Sequence, residues 1–230
     1  MTDSTNIILY DYWRSSASYR VRIALNLKGL VYQSVKVDLL NGEHQSPAYL
    51  ARNPQGTVPM LEIDGLCLTQ SLAILEYLEE AYPTPALLPD DAKGRAFVRA
   101  LALILVADTH PIQNLNVAQH VTSLMPDKPE VKEAWMRHFI NKGLAVYEKL
   151  LADSISDSIS DSVSSPVSDS ANSQFSYGRN LTIADICLIP QIYNARRWGV
   201  DMAQFPSILS IEAACKDIQA FALAEPEAVQ

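Results

Sequence analysis

Ser15-Ser16-Ala17-Ser18-Tyr19-Arg20-Val21-Arg22-Ile23-Ala24-Leu25 is the stretch that decides the fold. It follows Ile7-Ile8-Leu9-Tyr10, an apolar run that reads as a strand. It then opens a pattern with Val21, Ala24, Leu25 and Leu27 on one side, which predicts a helix over residues 18–28 stopped by Gly29. A cluster of serine hydroxyls therefore stands where a strand hands over to a helix. The first turn of a helix carries unpaired N–H groups and a partial positive charge. It is a place to hold an anion, and a hydroxyl there can donate to a thiolate or an oxyanion. Serine is also a favoured N-cap, and capping alone accounts for any one of these residues. Three serines flanked by Arg14, Arg20 and Arg22 put an anion site on an equal footing, and the pattern leaves both roles open.

Outward from this stretch the first 80 or so residues alternate element types. Residues 31–38 read as a strand and 43–51 as a weak short helix. Residues 59–63 and 66–68 read as short strands joined by Asp64-Gly65, a strong hairpin signal. Residues 71–82 read as a helix with Leu72, Leu75, Tyr77 and Leu78 at core spacing. The order β-α-β-α-β-β-α predicts a small α/β domain built on a mixed sheet, over residues 6–83. A proline-rich linker, 84–90, precedes an all-helical region over 91–225. There a long apolar periodicity to about residue 121 is interrupted near Pro111, and further helices are predicted over 130–151, 182–197 and 207–223. In the first of these, Trp135, Phe139, Ile140, Leu144 and Tyr147 face inward. Residues 153–174 stand apart as a decaying repeat of Asp-Ser-Ile/Val-Ser without a basic residue. Its Ile155, Ile159, Val163 and Val167 could form only a thin helical stripe, and the expectation is a disordered acidic insertion.

The bulk numbers exclude some classes. The chain has 230 residues, 48% of them apolar, so a substantial core can form. A net charge of −8 argues against nucleic acid or an anionic membrane surface as the main partner. No stretch reaches the roughly 18 uncharged apolar residues of a membrane span. The N-terminus lacks the basic start and apolar core of a secretory signal. Cys67, Cys187 and Cys215 lie far apart, with neither metal-ligand spacing nor a disulfide framework, which fits a reduced, cytoplasmic setting. His110, His120 and His138 have no second ligand at a useful spacing, so no metal is expected.

Three further spots bear on chemistry. Asn53-Pro54-Gln55-Gly56-Thr57-Val58-Pro59 leads into a strand, and its last proline admits a cis bond, although trans is the common form. Gln70-Ser71 opens a helix, where Ser71 is an N-cap or, with its N–H, a second anion site. Thr182-Ile183-Ala184-Asp185 has the spacing of a capping box, which assigns Asp185 to folding.

These runs together resemble the glutathione transferase superfamily. S-S-A-S-Y-R-V-R-I-A-L resembles the zeta-class pattern S-S-C-S-x-R-V-R-I-A-L, and the N-P-Q-G-T-V-P and Q-S-L-A-I-L-E-Y-L-E-E runs match the superfamily more broadly. T-I-A-D-I-C-L-I-P-Q and N-A-R-R-W add matches in the C-terminal half, so nearly the whole chain except the serine-rich stretch is covered. The resemblance implies a thioredoxin-like N-terminal domain, a helical C-terminal domain and a homodimer. It implies glutathione as cofactor, with Ser15, Ser16, Ala17, Ser18, Tyr19 and Arg20 at the thiol end and the Val58 backbone, before a cis-proline, at the cysteinyl part. Gln70 and Ser71 would hold the γ-glutamyl end, His44 or Gln45 the glycyl end, and Gln113 and Asn114 would line the cleft from the helical domain. Arg197, with Arg14, matches arginines that bind substrate carboxylates, and Ser15, Ser16 and Arg197 are the implied catalytic residues.

The class contains maleylacetoacetate and maleylpyruvate isomerases, so the implied activity is glutathione-dependent cis–trans isomerisation of a dicarboxylate-like substrate in aromatic catabolism. The expected conversion is maleylacetoacetate to fumarylacetoacetate; the alternatives are a maleylpyruvate isomerase, a general transferase acting on α-haloacids and a non-enzymatic glutathione-binding protein. Two departures matter. Ala17 stands where the class has cysteine, and Leu115 and Asn116 stand where maleylpyruvate-type members carry arginines.

Overall fold

A computed structural model describes residues 6–160 and 173–230, with the backbone alone over 154–160. The chain divides into two compact units: residues 1–86 together with 218–230, and residues 87–217.

The first unit holds a four-stranded sheet of β1 (Ile8–Asp11), β2 (Gln33–Lys36), β3 (Met60–Ile63) and β4 (Leu66–Thr69), in the order β2-β1-β3-β4. β1 runs parallel to β2, with Leu9 opposite Ser34, and antiparallel to β3, with Leu9 opposite Leu61. The β3–β4 hairpin turns on Asp64 and Gly65, both at positive φ (52° and 76°), as the Asp-Gly signal predicts. Alternate side chains of β1 serve opposite faces. Tyr10 packs edge-to-face on Tyr49 of α2 (Pro47–Leu50), while Asp11 meets α1 (Ser16–Leu27) through Arg22. The sheet thus has helices on both faces.

α3 (Ser71–Ala81) lies beside α1, and the pair is clasped at both ends. Arg20 Nη1 donates to Ser71 Oγ at 2.9 Å, and Lys28 Nζ donates to Glu79 at 3.0 Å and to the Pro85 carbonyl at 2.6 Å. These contacts join like ends, so α1 and α3 run parallel. The sequence predicts one apolar side for α1, yet every residue from Ala17 to Leu25 is buried. The reason is the C-terminal segment, which returns to this unit. There α9 (Gln219–Ala222) covers the remaining face of α1, and Asn26 Nδ2 donates to the Ala220 carbonyl at 3.1 Å. Beyond α9 the chain finishes in α10 (Pro226–Val229).

The second unit is helical: α4 (Ala92–Leu103), α5 (Leu115–Leu124), α6 (Val131–Ser160), α7 (Ile183–Arg197) and α8 (Pro206–Lys216). The interruption predicted near Pro111 starts earlier, in a π-helical turn over Ile104–Thr109. Pro111 offers no N–H, and its ring crowds the carbonyl four residues back, so the chain widens before it rather than at it. Thr109 Oγ1 closes the wide turn on the Ile104 carbonyl at 2.7 Å. Gly143 makes room, since a Cβ there would collide with Thr109. Taken as one run, Ala92–Gln113 is long and apolar enough to cross a membrane by length and composition, which the sequence reading did not anticipate. Its Val98, Leu101, Ala102 and Leu105 are buried within the helical unit, where α4 packs against α7.

α6 buries Ile140, Leu144 and Tyr147 as predicted, whereas Trp135 and Phe139 are half-buried, with ring centres 4.6 Å apart and planes tilted by 55°. The helix runs on to Ser160, into the serine-rich repeat. Extending an existing helix avoids the cost of nucleation, which an isolated Ser/Asp segment could not meet. Residues 161–172 of the predicted insertion lie outside the described residues. α7 begins at the Thr182–Asp185 capping box. Asp185 is fully buried and accepts from Thr182 N at 2.7 Å, Thr182 Oγ1 at 2.9 Å and Ser176 N at 2.7 Å. Desolvation raises its pKa above the ordinary aspartate value, against the pull of those hydrogen bonds.

Candidate functional site

In the first unit the site begins at the β1–α1 turn. Tyr12 to Ser16 are half-exposed, while Asp11 before them and Ala17 after them are buried. Ser15 is the N-cap of α1, with its Oγ accepting from Ser18 N at 3.2 Å, and Ser15 N donates back to the Tyr12 carbonyl at 2.8 Å. The capping reading of Ser15 is therefore correct, and it does not exhaust the hydroxyl. An acceptor oxygen keeps its own proton to donate. Ser16 opens the helix at its positive end.

The three flanking arginines part ways. Arg20 and Arg22 point into the interior, 1% and 0% exposed, and only Arg14 stays at the turn. Its guanidinium lies 4.7 Å from the centre of the Trp13 ring and reaches Tyr12 Oη at 3.4 Å. Ser18 and Tyr19 are buried too, and Ser18 Oγ has no hydrogen-bond partner among the described residues.

The start of α3 lies in the same unit. Ser71 is not the N-cap that the sequence reading allowed: Gln70 occupies that place, and Ser71 is the first helical residue. There its oxygen accepts from Arg20 Nη1. Gln70 sits at φ 68°, a region costly for a residue with a Cβ, and makes no side-chain cap to α3. Its amide donates to Gln55 Oε1 at 2.9 Å. The opening N–H groups of α3 are thus not capped by the Gln70 side chain.

Gln45 Nε2 donates to the Gly56 carbonyl at 3.1 Å, and His44 stands in the same short 3-10 turn. Gly56 is needed twice over. It has φ 58°, and an added Cβ would strike Gln45 and lie 3.0 Å from the His44 carbonyl. Val58 is buried, and the Val58–Pro59 bond is cis.

In the second unit Gln113 is buried, with both ends of its amide engaged. Its Nε2 donates to Gln191 Oε1 at 2.8 Å, and its Oε1 accepts from Asn194 Nδ2 at 2.6 Å. Asn114 is exposed and is the N-cap residue of α5, without a side-chain cap bond. Arg197 is exposed at the last turn of α7, its guanidinium 5.1 Å from the Trp198 ring centre. Lys132 Nζ approaches the same ring at 5.8 Å. One helix, α7, therefore carries Gln191, Asn194 and Arg197.

Sequence reasoning missed Gln191 and Asn194, although polar residues three apart on an otherwise apolar helix were a usable signal. It also missed the aromatic seat that Tyr12 and Trp13 make for Arg14. Among the described residues no group of three or more His, Cys, Asp or Glu is placed to hold a metal, and no disulfide forms.

Comparison with known proteins bears on this arrangement. Residues 5–80 match the family described as Glutathione S-transferase, N-terminal domain. Over 220 residues the chain is 48% identical to a maleylacetoacetate isomerase of Rhizobium meliloti, covering 96% of each. The chain belongs to the zeta class of the glutathione transferase superfamily. Among solved structures it superposes on a holo maleylpyruvate isomerase described as a bacterial zeta-class transferase, with TM-score 0.86 and 42% identity over 96% of this chain and 97% of the other. It also superposes on a maleylacetoacetate isomerase of Anaeromyxobacter dehalogenans, with TM-score 0.80 and 41% identity over 97% and 96% of the two chains. That protein was crystallised with dicarboxyethyl glutathione and citrate in its active site. The thioredoxin-like and helical halves expected of a zeta-class chain are those of this fold.

Proposed function

We propose that this chain is a glutathione-dependent isomerase of maleyl dicarboxylates, converting maleylacetoacetate to fumarylacetoacetate in the breakdown of tyrosine and phenylalanine. The observation that carries the reading is the opening of α1: a capping hydroxyl with a proton still to give, a second serine at the positive helix end, and Arg14 seated beside them.

The donor set fits the tripeptide. Hydroxyls and helix N–H groups suit a sulfur anion, and the α3 start, not capped by Gln70, suits a carboxylate. When bound, glutathione supplies a thiolate that adds to the conjugated double bond, permits rotation and is expelled. The residues must keep that sulfur ionised. A free thiol has a pKa of about 8.5, and lowering it by about two units asks roughly 2.7 kcal/mol of the site. A helix N-terminus supplies at most about 2 kcal/mol, and a hydrogen bond to a charged group about 1.5–3. Together they suffice without a histidine base. The guanidinium forks of Arg197 and of Arg14 suit a substrate carboxylate and the negative charge that develops as the double bond is attacked.

Maleylacetoacetate is preferred over maleylpyruvate here because Leu115 and Asn116 replace the arginines expected of the maleylpyruvate type. The chain acts in the cytoplasm as a homodimer. The deciding experiment compares kcat/KM for maleylacetoacetate, maleylpyruvate and an α-haloacid, each with and without glutathione. The reading expects turnover only with glutathione and the highest kcat/KM for maleylacetoacetate. Turnover unaffected by omitting glutathione rejects the mechanism, and a haloacid preference rejects the substrate.

A further inference from the structure

Arg22 donates four hydrogen bonds from its guanidinium, and none of them goes to the capping serine or to a group proposed to touch substrate. It sits on α1, fully buried. Nη1 donates to both oxygens of Asp11 at 2.8 and 2.9 Å, Nη2 to the Trp13 carbonyl at 3.0 Å, and Nε to the Ala224 carbonyl at 3.0 Å. One guanidinium thus ties three places: the end of β1, the turn that follows it, and the segment just before α10. The planar fork of arginine reaches all three at once, which a lysine ammonium cannot.

Trp13 is the residue whose ring seats Arg14, and it lies two residues before Ser15. Fixing the Trp13 carbonyl from beneath fixes the path of the turn that presents both groups.

We propose that Arg22 is a positioning residue for the site. Through the Trp13 carbonyl it sets where Arg14 and Ser15 stand, and through Ala224 it makes the C-terminal segment part of that scaffold. The proposal deepens the isomerase reading and, for its kinetic consequences, rests on it. Misplacement of an anion-holding turn by a fraction of an ångström is costly because the geometry must be held tightly.

A buried ion pair can be replaced by apolar side chains of similar volume without loss of stability, which separates packing from positioning. The test therefore uses the full-length chain with Arg22→Met/Asp11→Leu together, and Arg22→Lys alone as a charge-preserving companion. Two readouts are taken: amide hydrogen exchange over the turn and first helical turn, and kcat/KM as a function of pH with glutathione and maleylacetoacetate. In the double variant the proposal expects cooperative unfolding to be kept and the Ser15 and Ser18 amides to exchange about tenfold faster or more, with α7 amides unchanged. It expects kcat/KM to fall about tenfold or more and the pH at which it rises to move upward. Unchanged exchange and an unchanged pH profile overturn it, even if melting temperature falls. Should the double variant not fold, the same readouts on Arg22→Lys decide in the same way. The exchange readout needs no substrate, so wild-type protein that failed to isomerise would sink the isomerase reading while leaving Arg22 to be judged on exchange alone.

Discussion

Ser15 has two jobs in the proposed isomerase: its oxygen accepts the Ser18 N–H, and its own proton is the one proposed to go to the glutathione sulfur. Removing the hydroxyl removes both. Ser15→Ala is expected to lower stability by about 1 kcal/mol, the worth of a cap, and to lower kcat about 10- to 100-fold, the worth of a hydrogen bond to a charged group. Thermal denaturation and steady-state kinetics check the two effects separately. Ser16→Ala should lower kcat without the loss of a cap. Arg197→Ala should instead raise KM with a smaller change in kcat, because the carboxylate contact proposed for it would form before reaction as well as during it; a pure stability loss in all three would assign them structural roles. Gly56→Ala is expected to cost more than about 1 kcal/mol, since the backbone there is left-handed and a Cβ meets Gln45 and the His44 carbonyl. A urea midpoint measures it, and weaker glutathione binding should accompany it. At this scale the sequence was legible for some side chains that announce a role, though not for Ser71, whose capping place Gln70 takes. The Ser15 cap and the Thr182–Asp185 box are examples. It was illegible where burial decides: Arg20 and Arg22 read in the sequence as flanks of an anion site and are interior ties in the fold.

The elements of the first unit were legible because their signals are local. Asp64-Gly65 requires positive φ and forms the hairpin, and Gly29 at φ 65° ends α1 where expected. The all-round burial of α1 was not legible, since the partners of Asn26 and Arg22 in the C-terminal segment are backbone carbonyls, which leave no trace in side-chain pattern. In the helical unit the capping box gives α7 a pH dependence. The pKa of Asp185 is raised in the folded state, so the native protein holds that proton more tightly than the unfolded chain does. Its contribution to stability is complete below the ordinary aspartate range and is lost as pH rises through the raised folded value. Relative to Asp185→Asn, the wild type should therefore gain stability on acidification from above the raised folded value down to the ordinary aspartate range at about pH 4, read as the difference in urea midpoints. A difference that is flat or opposite in sign would mean that the hydrogen bonds from Thr182 and Ser176 outweigh desolvation.

For the whole molecule, a division into a mixed-sheet unit and a helical unit follows from the switch in hydrophobic period after the proline-rich linker. Nothing in that period tells the chain to return residues 218–230 to the first unit, because the return depends on tertiary contacts alone. Each unit also carries part of the proposed donor set. The first unit offers a helix start with hydroxyls and Arg14, and the second offers Arg197 on α7. The account stands most directly on the first of these. It is tested by an ultraviolet titration of the thiolate of glutathione bound to the full-length chain. The account predicts an apparent pKa about two units below the roughly 8.5 of a free thiol, moving back up in Ser15→Ala. A bound thiol that titrates like the free one, or no detectable binding, would contradict it.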